Sequence, residues 1–183
     1  MNRDLLYYLM IPLLFIAGLL QSTAAARLQV NGVKPDLVLL LVVIGTLLYG
    51  SKPGILWAFL GGIGLDIFSG GPMGSSSLAL MAAIFVIGLG QRTLSRFNVL
   101  VPTGAMLIGT LLYGLSYVGL LAGVETTAKF LALPNYRNIQ YNLEFWPSLQ
   151  YIILPAVFYN TTLMLFLTPF LNRVPERTEA MNS

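Results

Sequence analysis

Pro35-Asp36-Leu37-Val38-Leu39-Leu40-Leu41-Val42-Val43, followed by Gly54-Ile55-Leu56-Trp57-Ala58-Phe59-Leu60-Gly61-Gly62-Ile63-Gly64-Leu65-Asp66, is the stretch that decides the fold. The first run opens with a proline, which suits a first helical turn because its missing N–H has no partner there anyway. Asp36 complements the positive end of the helix that follows. In the second run Gly54, Ala58, Gly62 and Asp66 recur every four residues. On a helix this puts three small side chains and one carboxylate on a single stripe. In lipid, small stripes let two helix backbones approach closely. The pattern therefore reads as helix-packing apparatus, either between spans of this chain or against a partner.

Composition extends that reading to the whole chain. Apolar residues make up 56% and charged residues 9%, against about 25% charged in a soluble domain. A soluble chain of 183 residues could not cover its surface with so few charges, so the remaining surface faces lipid. The chain has no cysteine and no histidine. This removes disulfides, thiolate nucleophiles and metal sites, and imidazole acid–base chemistry. The net charge of +3 is small, and no Lys/Arg run is dense enough for a nucleic-acid patch. The expected class is all-α, a polytopic membrane protein forming one bundle, with no metal and no cofactor.

A span needs roughly 20 apolar residues. The candidate spans, about six by this criterion, are 5–26, 37–49, 53–68, 76–90, 100–123 and 149–171. Pro12 is a candidate kink in the first, and Gln21 a polar group near its far end. Arg3, the apolar stretch and Ala24-Ala25-Ala26 loosely imitate a leader peptide, but Asp4 and the length of the run favour a retained span. The second to fourth spans are short. Either their helices extend into flanking residues or the bundle is locally thin. A re-entrant pair is disfavoured, because Ser51-Lys52-Pro53-Gly54 reads as a polar turn that belongs in water. Ser75 or Ser76 can cap the fourth span.

With the N-terminus inside, Arg3, Lys52, Arg92, Arg96, Arg173 and Arg177 are cytoplasmic, against Arg27, Lys34, Lys129 and Arg137 outside. This bias places both termini in the cytoplasm, with Arg92 and Arg96 as a cytoplasmic basic pair facing lipid headgroups or a cytoplasmic partner. The segment 124–148 becomes an outer loop whose Tyr136, Tyr141, Phe145 and Trp146 suit the headgroup level.

Catalytic patterns do not assemble. Gly62-Ile63-Gly64 begins like a dinucleotide fingerprint, but Ile67 stands at the third glycine position. Asp66 lies within a span and Asp36 at a helix start, which does not make a carboxylate dyad. Ser75, Ser76 and Ser77 lack an activating base. Asn160-Thr161-Thr162 lies inside the last span and reads as interhelical hydrogen bonding.

Pro35-Asp36-Leu37 with its aliphatic run, then Gly61-Gly62-Ile63-Gly64-Leu65-Asp66 and Gly70-Gly71-Pro72-Met73-Gly74, together with Gln21, resemble the MreD family of bacterial rod-shape-determining membrane proteins. The resemblance is densest over 21–92, and the span layout carries it along the chain. It implies a fold similar to the substrate-binding subunit of energy-coupling-factor transporters. It also implies a non-enzymatic scaffold in the cell-elongation complex of the inner membrane. MreC would be the direct partner, with links to MreB, RodA and a penicillin-binding transpeptidase, and room for self-association. The alternative it raises is a membrane subunit binding a small vitamin-like molecule. Asp66 is expected to accept hydrogen bonds from the Gly70–Gly74 turn or to pair with Arg27 or Lys34.

The topology has a direct test in this cysteine-free chain. Gln140→Cys should label from outside intact cells and Leu94→Cys should not; the reverse pattern overturns the orientation.

Overall fold

The computed structural model describes residues 3–23, 34–90, 99–131 and 144–171. All of its regular structure is helical. The elements are α1 (Arg3–Thr23), α2 (Leu37–Tyr49), α3 (Ser51–Ser69), α4 (Ser75–Gly90), α5 (Leu100–Phe130), α6 (Phe145–Ser148), a π-helical turn (Leu149–Ile153) and α7 (Leu154–Leu171). Two runs, Leu100–Phe130 and Phe145–Phe170, are long and apolar enough to cross a membrane, and only 17% and 22% of their apolar windows are buried. They are therefore not core helices of a soluble protein. Phe158, Phe166 and Phe170 on α7 and Phe85 and Leu89 on α4 point outward, as a lipid-facing surface requires.

α2 is the core of the bundle. It is apolar on every side, which is the signature of a helix buried all round. It packs against α1, α3, α4, α5 and α7, and Val38, Leu39, Val42 and Val43 are fully enclosed. It ends at Gly50, whose φ of 99° is a conformation that glycine adopts at little cost. α3 begins on the next residue.

This corrects the expected polar turn. Ser51, Lys52, Pro53 and Gly54 form the first turn of α3, where Pro53 needs no N–H partner, and Gly50 alone reverses the chain. α5 also runs past the expected end at Gly123 to Phe130, so the expected 124–148 loop begins later. It ends earlier too, because the last helical run starts at Phe145. The widened turn at Leu149–Ile153 ends two residues before Pro155. A proline has no N–H for the helical ladder, and a local π turn is a recognised way for a helix to absorb such a break.

The stripe on α3 packs within the chain. Gly54 faces the Thr46 side chain of α2, and Gly62 lies against the Ser76–Ser77 backbone of α4. A Cβ at Gly62 would meet backbone atoms that cannot swing aside. Ala58 and Asp66 are enclosed with them. No partner helix can reach this stripe directly.

Overpacking a close-packed site typically costs about 1–3 kcal/mol. Gly62→Leu should exceed that range and Gly62→Ala should fall within it, seen as lost monodisperse protein and a lower melting temperature in mild detergent. Gly119→Leu on α5, where nothing lies within 4 Å of the added Cβ, should melt like the parent.

Candidate functional site

A helix start leaves its first backbone N–H groups without intrahelical partners. At α2 this start is buried inside the bundle, and side chains from other helices satisfy it. The Asp36 N–H donates to Asn160 Oδ1 of α7 at 2.9 Å. The Val38 N–H donates to Gln21 Oε1 of α1 at 3.1 Å. The Leu39 N–H donates to Asp36 Oδ1 at 3.0 Å, an N-cap made by the residue before the helix. Asn160 Nδ2 reaches Thr110 Oγ1 of α5 at 3.4 Å, and Lys34 Nζ donates to the Gln21 carbonyl at 3.4 Å. Three neighbouring helices, α1, α7 and, through Asn160, α5, are thus tied to the first turn of α2. Burial pushes the Asp36 carboxyl above the usual carboxylate range, opposed by the Leu39 N–H, the Gln21 side chain and the Lys34 charge.

The start of α4 is built the same way from α3. Asp66 Oδ2 accepts from the Gly74 N–H at 2.7 Å and Oδ1 from the Ser76 N–H at 3.1 Å. The intervening turn reverses through Gly70 (φ 68°) and Gly74 (φ 92°), with the Ser75 N–H bonded to the Pro72 carbonyl. At 1% exposure, an unbonded carboxylate here would be costly; both oxygens are bonded.

Between these two helix starts lies a cavity of about 350 Å³. Gln21, Ser76, Thr110 and Asn160, all buried, line its deep end, and the half-buried Asp36 also lines it. Phe68, Tyr113 and Tyr117 supply aromatic walls, Lys34 and Ser69 lie toward the open end, and Ile152 adds an exposed apolar edge. The length of α2 explains the cavity. Thirteen residues span only about 20 Å, and Asp36 bonds to Asn160, which is well inside the final helical run. The long α5 and α7 continue beyond the point where α2 stops, so space remains above its start.

The residues singled out in the sequence are therefore sorted into three places. Gln21, Pro35, Asp36 and Asn160 meet at the start of α2. Asp66, Gly70, Gly71, Pro72 and Gly74 form the α3–α4 turn. Gly54, Ala58 and Gly62 lie in the core. Of the two arrangements expected for Asp66, the structure has the first: it accepts from Gly74 of the Gly70–Gly74 turn and from Ser76 at the start of α4, while Lys34 is bonded to Gln21 instead. Neither Ser75 nor Ser76 provides the cap of α4; Asp66 does. Arg27, Arg92 and Arg96 lie outside the described residues. Thr110, Tyr113 and Tyr117 escaped the sequence reading, although their spacing places them on one face of α5.

The family model of the rod shape-determining protein MreD matches residues 2–174. No curated protein and no solved structure matches.

Leaving a buried donor without its partner costs about 1–3 kcal/mol. Asn160→Leu should lower stability by that amount in denaturant titrations. Asp66→Leu should cost more than Asp66→Asn, because the amide oxygen still accepts one of the two N–H bonds. Equal effects would remove the capping role of Asp66.

Proposed function

The chain belongs to the MreD family, and so is a membrane protein with a role in determining rod shape; from that premise we propose that it works as a non-enzymatic scaffold of the cell-elongation complex, binding MreC and helping to control lateral peptidoglycan synthesis. In this reading it is a six-span bundle of the bacterial inner membrane with both termini cytoplasmic. MreB, RodA and a penicillin-binding transpeptidase are reached through the same assembly, and the Arg92–Arg96 pair faces the cytoplasmic side.

The observation that carries the scaffold reading is the uncovered face of α5. Gly119 and Gly123 stand one turn apart with nothing within 4 Å of an added Cβ. In lipid this is where a partner's transmembrane helix can approach the backbone closely. The buried stripe on α3 serves the partner indirectly, by setting the geometry of the bundle.

A transporter subunit for a vitamin-like molecule is the second reading, and the cavity above α2 is the observation in its favour. Purification from native membranes in mild detergent separates the two: co-purifying MreC supports the scaffold, and a stoichiometric bound vitamin supports the transporter subunit.

Gly119→Leu, expected to fold normally, should reduce MreC recovered with the tagged protein by about tenfold, the effect of wedging a close helix contact by 1–2 kcal/mol. Parental recovery would remove α5 as the docking face.

A further inference from the structure

The cavity above α2 combines features that scaffolding does not require. Among the described residues its lining carries one carboxylate, Asp36, and one ammonium, Lys34. The Lys34 charge acts on Asp36, but each group makes its hydrogen bond elsewhere: Asp36 Oδ1 caps Leu39, and Lys34 Nζ holds one long bond to the Gln21 backbone carbonyl. An ammonium has three donors, so Lys34 keeps N–H groups for an acidic ligand group. Tyr113 stands near Asp36, its ring 6.0 Å from that of Tyr117 with planes tilted by 35°, and Phe68 completes the aromatic wall. A carboxylate among aromatic rings is the chemistry that draws an organic ammonium out of water.

Shape adds a second constraint. The deep end is polar and enclosed, whereas the edge at Ile152 is apolar and exposed at the bundle surface. A ligand that fits both ends is polar at one end and hydrocarbon at the other. The volume lies within the range of about 300–1,000 Å³ usual for ligand pockets.

We propose that this cavity binds a zwitterionic group, its ammonium against Asp36 and the tyrosines and its acid against Lys34, and that the group is the headgroup of an aminophospholipid whose chains leave past Ile152. The site does not depend on the scaffold reading. A half-buried carboxylate gains a second cation beside Lys34, and the apolar edge is covered by the ligand's hydrocarbon.

The test uses the full chain, delipidated in mild detergent and titrated with phosphatidylethanolamine, phosphatidylglycerol or free phosphoethanolamine, with bound molecules counted by native mass spectrometry. Phosphatidylethanolamine should bind once per chain, about tenfold tighter than phosphatidylglycerol, as expected for one hydrogen bond to a charged group. Asp36→Asn keeps a good N-cap and should abolish that preference. Ala156→Phe, at another lining position, should fill the cavity and lower binding at least tenfold. Melting temperatures without lipid establish that each variant folds. Lys34→Gln, toward the open end, replaces any that does not, and should weaken phosphatidylethanolamine binding. Equal affinity for the two lipids, or lipid binding indifferent to the folded variants, overturns the site. Binding of phosphoethanolamine with the same variant sensitivity, but of neither lipid, retains the zwitterion chemistry and overturns the lipid source.

Discussion

A helix that starts inside a protein must find partners for backbone donors that water cannot reach. The start of α2 is such a place, and much of the bundle follows from it. α1 must end where Gln21 can accept from Val38, α7 must pass where Asn160 can accept from Asp36, and α5 must present Thr110 to the other end of the Asn160 amide. Each bond alone is worth little net, about 1 kcal/mol. Their weight lies in the cost of leaving any one unmade, which fixes the depth and rotation of three neighbours relative to one short helix.

The α3–α4 pair solves the same problem by a different route. Gly62 lets the backbone of α4 lie against α3 at Ser76 and Ser77. That close approach brings the first N–H groups of α4 within reach of Asp66, one turn further along α3. The small residue and the acid are thus two parts of one device. A larger side chain at Gly62 would move α4 away from the carboxylate that caps it, so packing and capping fail together.

The sequence disclosed these parts more readily than their meeting. Among the described residues the long helices fall on apolar runs, and Pro35-Asp36 stands at a helix start. Gln21, Asn160 and Asp66 were visible as polar residues that hydrocarbon would not tolerate unpaired. Which partners they take was not legible: Asp36 and Asn160 are separated by 124 positions, and no local pattern encodes such a pairing. Helix ends were misplaced where hydropathy and helicity part company. After Gly123 the sequence turns polar, yet α5 continues, with Thr126 and Thr127 returning their hydroxyls to the carbonyls of Ala122 and Gly123. Ser51 and Lys52 looked like a turn for the same reason, although a single glycine was enough to make it.

α5 links the cavity to the outside of the bundle. Thr110, Tyr113 and Tyr117 line the cavity, while Gly119 and Gly123, further along the helix, lie open. A ligand in the cavity can alter what docks at those glycines only by binding two positions of α5 with different affinity. The Thr110–Asn160–Asp36 chain resists such movement near the buried start of α2. Beyond Tyr117, Gly119 and Gly123 leave one side of α5 open. Any coupling between cavity and docking face would therefore have to pass along α5, from that polar anchor to the open glycines.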